Sequence, residues 1–261
     1  MDAAGRWAAQ LAGWAVPPAL LAAAPESPWG FDVRTFRRAA ERAAAVESSS
    51  QRRAAEALPE RGTVLDVGCG AGAASLPLRA GVTVGVDESA AMLAAFADRA
   101  AAAGLTARTV EGRWPDVAPA AGVADVVVCH HVFHNVADLP AFALALTAAA
   151  RRRVVVEMAA THPLGWLRPV WRRIHGLDRP EGPTADDAAD VLAESGLAVA
   201  IERWDGAATW AVLDDDLVAM ARRRVCVGPE RDPEVRAALE EAGELGHARP
   251  VATLWWDGTA P

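Results

Sequence analysis

The sequence predicts an α/β fold built on a mostly parallel, doubly wound sheet. Two patterns carry that expectation. Residues 63–158 alternate short valine-rich runs with alanine-rich helical runs, the rhythm of strand–helix–strand units. Several of the valine-rich runs are apolar without alternation, as strands covered on both faces must be.

The elements follow in order. Residues 1–60 read as helical, broken at Pro17-Pro18 and across 25–30, with helices expected over 34–46 and 48–58. Strands are expected at 63–67, 82–86, 106–110, 125–129, 153–157, 197–204 and 251–256. Ser89 is placed to cap a helix closing at Gly104, and Asp138 to cap one beginning near Pro140. Thr184 and Asp187 have capping-box spacing for a helix reaching about Ser195. Further helices are expected over 214–224 and 233–243, the second with Asp232 at its cap. Residues 1–47 read as an N-terminal helical cap on a domain spanning 48–261. Within that domain, 160–185 has a lid-like composition and 206–249 is a helical insertion before the last strand.

The bulk composition narrows the function. The 261 residues carry a net charge of −8, which disfavours a nucleic-acid partner. No apolar run reaches the roughly 18 residues of a membrane span, and the N-terminus lacks a signal-peptide pattern. Three cysteines without paired spacing fit a reducing, cytoplasmic setting. The arginine clusters 151–153 and 222–224 are expected to end helices, where cations complement the dipole. Lysine and tyrosine are both absent, so neutral-pH proton transfer falls to His, Asp, Glu, Cys or water.

The first strand runs into TVLDVGCGAGAASLPL, residues 63–78. Glycines between a strand and a helix let a ligand approach bare backbone near free N–H groups. Pro77 falls about one turn into that helix and should shorten or kink it. Two ligands suit such a loop. Gly68-x-Gly70-x-x-Ala73, with Asp87 after the next strand, fits a relaxed dinucleotide pattern and hence a nicotinamide-dependent oxidoreductase. Asp66 argues against a pyrophosphate there. A carboxylate repels it, whereas a cation about 4 Å away gains roughly 4 kcal/mol at an effective dielectric near 20.

LDVGCGAGAAS resembles the first motif, D/E-x-G-x-G-x-G, of the class I S-adenosylmethionine-dependent methyltransferases, and VGVDES resembles their second. The resemblance covers roughly residues 48–205 and implies a seven-stranded mixed sheet of the Rossmann-like type. It implies an S-adenosyl-L-methionine site formed by Asp66, Gly68, Cys69, Gly70, Gly72, Asp87 and Glu88, with Asp87 gripping the ribose hydroxyls; Met92 either touches adenine or ribose or belongs to the core. Gly112, Arg113 and Trp114 would flank the adenine, and His130 would line the methionine part. Arg113 stands where many relatives have an acid, and arginine cannot accept the adenine amino proton. Either a backbone carbonyl does so or Arg113 points away. Trp114 either stacks on the purine or belongs to the core.

Ligands of open α/β sheets lie beyond the carboxyl ends of the strands. The fourth strand ends there in VVVCHHVFHNVADLPAF. A base is needed where the acceptor must lose a proton, and histidine is the natural one. His134 is the first candidate and His131 the second, with Asn135 nearby. The segment departs from the N/D-P-P-Y motif of nucleic-acid amine methylation. Metal-site spacings of the C-x-x-C or H-E-x-x-H kind are absent, and no metal is expected from His130, His131, His134, Glu157 and His162. Glu157, His162, Trp166, Trp171 and His175, with Trp29 and Phe31, read as an aromatic wall around a small-molecule acceptor. A cofactor-binding protein without turnover is the non-enzymatic alternative, and the histidines after the fourth strand weigh against it.

Overall fold

The computed structural model describes residues 1–29, 48–206, 212–243 and 246–261. Phe31 and the helix expected over 34–46 lie outside the described residues.

Seven strands form one sheet in the order β3-β2-β1-β4-β5-β7-β6. They are β1 (Thr63–Val67), β2 (Val82–Asp87), β3 (Ala107–Glu111), β4 (Ala124–His130), β5 (Ala150–Ala159), β6 (Ala200–Gly206) and β7 (Arg249–Asp257). The first five run parallel, and β7 lies antiparallel between β5 and β6, so the sheet is mixed. The chain crosses from β1 to β2 on one side and returns past it to β4 on the other. That reversal opens a crevice at the carboxyl ends of β1 and β4. Val126, Val127 and Val128 in β4 are fully buried, which explains their unbroken apolar run.

The helices among the described residues are α1 (Ala3–Ala12), α2 (Pro18–Ala23), α3 (Ser49–Ala57), α4 (Ala90–Ala102), α5 (Ala118–Ala121), α6 (Leu139–Ala149), α7 (Arg168–His175), α8 (Ala185–Glu194), α9 (Asp215–Arg224) and α10 (Asp232–Ala242). Ser89 and Asp138 cap α4 and α6 as expected, and Thr184 with Asp187 forms the capping box of α8. Ser48 and Gln51 form another on α3.

Three expectations are corrected. The glycine loop is followed by turns and a short 3-10 segment, Leu76–Leu78, where a helix was expected; Pro77 removes the donor that an α-helical turn would use. Arg151–Arg153 do not end a helix. They open β5, where Arg153 donates to the Arg53 carbonyl at 3.0 Å and pairs with Glu56. Asp232 sits in the first turn of α10 rather than at its cap, because a 3-10 turn over Pro229–Arg231 precedes it. Arg222–Arg224 do close α9.

The hydrophobic interior is divided. The main core joins both β1–β4 and β5–β7 to α6 and α8, and it includes Ala3 and Trp7 of α1. A second core gathers Leu167, Val170 and Trp171 with Val218, Ala221, Val235 and Leu239. Segment 164–177 and helices α9 and α10 therefore form one lobe, and Val16 and Leu20 of the N-terminal segment pack onto it.

Candidate functional site

The loop after β1 takes positive φ at Gly68 (71°), Gly70 (48°) and Gly72 (78°). The three glycines serve different ends. A Cβ on Gly68 would lie 2.3 Å from Val132 Cγ2, and one on Gly72 would meet Leu76 and Phe96 within 3 Å. At Gly70 a Cβ would meet nothing within 4 Å. Gly68 and Gly72 are bare because the protein packs there, and Gly70 is bare facing open space. The loop is held to β2. The Gly68 and Cys69 amides both donate to the Val86 carbonyl, at 2.8 and 2.9 Å. The Gly70 amide donates to Asp87 Oδ2 at 2.9 Å, and Ser89 N donates to Asp87 Oδ1 at 2.9 Å. Each Asp87 oxygen keeps a free lone pair for a second donor.

Asp66 is fully buried. Ser75 Oγ donates to its Oδ2 at 2.5 Å, while Oδ1 has no partner. Burial pushes this carboxyl up to about 7, against the Ser75 hydrogen bond. Ser75, which nothing in the sequence singled out beyond its place at the end of the glycine motif, is thus part of the site.

The other residues expected at the cofactor divide. Cys69 turns its thiol into a small core with Leu76, Leu93 and Phe96, and burial pushes that thiol up. Met92 is buried at the start of α4. Gly112 has φ 143°, with Val117 against its Cα. Arg113 points into solvent, 3.9 Å from the equally exposed Glu88. Of the two places open to Trp114 the structure takes the core: its ring is buried and its Nε1–H donates to the Phe142 carbonyl at 3.4 Å.

The acceptor-side histidines also divide. His131 follows β4 with φ 60°, a left-handed conformation that costs a non-glycine residue roughly 1–2 kcal/mol. Its ring is half exposed, and Nε2 lies 3.1 Å from Glu157 Oε1. Its amide donates to the Glu157 carbonyl at 2.6 Å, extending the β4–β5 ladder. His130 turns inward, with Nδ1 3.9 Å from Glu157 Oε2. Burial lowers His130 to about 4. Burial would raise Glu157, but His130 and His131 outweigh it and hold the carboxyl at about 2.

His134, the first candidate for a base, is corrected in position. It is 7% exposed, with Nε2 3.1 Å from the Pro183 carbonyl. Its ring lies over Trp7 at 6.0 Å and edge-on to His162 at 5.4 Å. Burial lowers it to about 4. His162 stacks on Trp14 at 4.0 Å, and burial lowers it to about 3. Asn135 is exposed beside them. Trp7 and Trp14 were not expected here; their ring nitrogens donate to the Val136 and Gly182 carbonyls, both at 2.7 Å.

The expected aromatic wall is likewise corrected. Trp171 is buried in the second core, with the Arg179 guanidinium 3.8 Å over its face. Trp166 packs against the same core, and His175 Nε2 binds the Val225 carbonyl at 2.7 Å. These side chains hold the lobe together. Trp29 is half exposed near Arg224. Among the described residues, no group of His, Cys, Asp and Glu side chains is placed to hold a metal ion. No described helix is long and apolar enough to cross a membrane.

Comparisons with known proteins bear on this geometry. Residues 64–153 match the family model described as a methyltransferase domain. The YcgJ protein of Bacillus subtilis superposes with a TM-score of 0.54 over 81% of this chain and 99% of its own, at 16% identity. Magnesium protoporphyrin IX methyltransferase from Synechocystis PCC 6803, solved with bound SAH, gives 0.51 over 87% and 84%, also at 16% identity. A curated relative, 2'-dehydrokanamycin reductase of Streptomyces kanamyceticus, is 33% identical over 107 residues, or 40% of this chain. The chain spans 29% of that relative's length.

Proposed function

We propose that this chain, which carries a methyltransferase domain of the class I, S-adenosylmethionine-dependent family, transfers a methyl group to a small-molecule acceptor. The carrying observation is Gly70: bare backbone facing open space, tied to the Asp87 carboxylate. The site fits the cofactor's chemistry. Asp66 Oδ1, a buried acceptor without a donor, suits the ligand's ammonium. The spare lone pairs of Asp87 suit two ribose hydroxyls. S-adenosylmethionine supplies, when bound, a methyl group on a positively charged sulfur.

The protein's part is to bind, orient and exclude water, which gives much of the rate of an in-line displacement. Asp66 and Asp87 fix the two ends of the nucleoside. Gly70 lets it approach the backbone. Of the described residues, 1–29, segment 160–185 and helices α9 and α10 cover the acceptor side. The shared packing of α1, α2 and the lobe supports that division. Buried free thiols at Cys69, Cys129 and Cys226 support a reducing, cytoplasmic setting, and the net charge of −8 supports a partner other than nucleic acid.

A second reading, a nicotinamide-dependent oxidoreductase, is favoured by the partial match to a reductase. The buried Asp66 carboxyl at the loop opposes it, because wherever that carboxyl is ionised a pyrophosphate there would meet a negative charge, and where it is neutral it offers the pyrophosphate no cation. Side-by-side calorimetry with S-adenosylhomocysteine and NADH separates the two. Binding of S-adenosylhomocysteine alone is expected; binding of NADH alone overturns the proposal. A screen of small-molecule extracts with methyl-labelled cofactor then finds the acceptor.

A further inference from the structure

We infer, on the methyl-transfer reading above, that His131 is the general base of the reaction and Glu157 its positioning residue, so that the acceptor is an alcohol, phenol or amine that still carries its proton. Four observations converge. His131 is the histidine of this rim with an exposed ring, whereas His130 and His134 are turned inward. Its Nε2 faces a buried carboxylate held ionised, so Nε2 carries the proton and Nδ1 presents a lone pair. Nδ1 makes no hydrogen bond among the described residues. Finally, the neighbouring Val132 packs directly on Gly68, which brings His131 to the edge of the cofactor loop.

The backbone is shaped for this arrangement. The left-handed turn at His131 folds the ring back over the end of β5, and its amide is anchored on the carbonyl of the same Glu157 that holds its ring. Such strain at a rim residue, fixed from two sides, is where function concentrates. The other charged and titratable groups around the pair are His130 of β4, His134 of the following turn and Arg249 of β7. Arg249 acts on both Glu157 and His134.

The step balances. The acceptor's lone pair forms the new bond to the methyl carbon as the carbon–sulfur bond breaks, its electron pair remaining on sulfur. The acceptor's proton passes to His131 Nδ1, so the positive charge moves from sulfur to the imidazole beside Glu157. That proton later leaves to solvent. A carboxylate or thiolate acceptor would need no such base.

The test uses the full chain with S-adenosylhomocysteine. Long-range nitrogen NMR on the histidine-labelled protein should show His131 as the Nε2–H tautomer, and Glu157→Gln should mix the tautomers. His131→Gly suits the left-handed backbone and should keep the fold. On the acceptor found by the labelled-cofactor screen it should lose about 100-fold or more in kcat, with partial rescue by added imidazole. Glu157→Gln should lower kcat with little change in KM, because it frees the ring whose orientation Glu157 fixes without touching the acceptor. An Nδ1–H tautomer at His131, or full turnover by His131→Gly, overturns the base assignment alone. Failure of the wild-type chain to bind S-adenosylhomocysteine overturns the methyl-transfer reading instead.

Discussion

The glycine loop between β1 and β2 and the aromatic seam under α1 are both polar sites near strand ends, yet they are built from contacts of different reach. In the loop, Ser75 meets Asp66 nine positions away and Gly70 meets Asp87 seventeen away. In the seam, Trp7 reaches Val136 across 129 positions and Trp14 reaches Gly182 across 168. Arg179 returns the contact, donating to Gly13 and Ala15. A short-range site can be written into one motif, whereas a long-range one exists only once the domain has closed. The first should tolerate damage to the second.

The sharpest break in that comparison is Gly70→Val. Open space around its Cα limits the folding cost to the left-handed strain, about 1–2 kcal/mol, so circular dichroism should stay native. Calorimetry should find S-adenosylhomocysteine binding abolished. Gly68→Val, by contrast, should lose the fold itself, because Val132 occupies the space.

Trp14→Ala attacks the seam. It removes a buried ring stacked on His162 and should cost about 3–5 kcal/mol in denaturant unfolding. Affinity for S-adenosylhomocysteine should change less than about threefold if the two regions are independent, since effects at separated sites add to within about 0.5 kcal/mol. A parallel collapse of affinity would show that they are coupled.

Asp87→Ala should weaken S-adenosylhomocysteine about tenfold, the loss of a charge-assisted hydrogen bond of about 1.5 kcal/mol or more. An unchanged dissociation constant would remove Asp87 from the ribose.

The smallest effect is a pH dependence. Asp66 has its folded value raised from 3.8 to about 7, so its contribution to stability is full below 3.8 and is lost as pH rises through about 7. The ligand's ammonium prefers the ionised carboxylate. Affinity for S-adenosylhomocysteine should therefore rise a few-fold, about three to ten, between pH 6 and 8. Asp66→Asn should flatten that rise.

Most of the sheet was legible because β-branched runs and capping residues act locally: Ser89, Asp138 and the Thr184–Asp187 box all stand at helix starts as read. The arginines 151–153 misled, since the same residues that favour a helix end also tolerate the solvent-facing start of β5. Histidine spacing could not rank His131 above His134. The two lie three residues apart, and their exposure is set by Glu157 on one side and by Trp7, Pro183 and His162 on the other. Trp166, Trp171 and His175 read as a wall for the same reason: composition marks an aromatic segment without saying which core receives it.

By itself, the sequence determined the run of seven strands, most of the helices between them, the glycine loop and the two carboxylates beside it. These depend on dihedral preference, capping and spacing within about 25 residues. Tertiary structure alone decided which histidine meets solvent, which glycine faces open space and which tryptophans hold the lobe. The partners there come from other segments of the chain, Glu157 for His131, Trp7 and Pro183 for His134, Val132 for Gly68 and helices α9 and α10 for Trp171, and only chain closure brings them together.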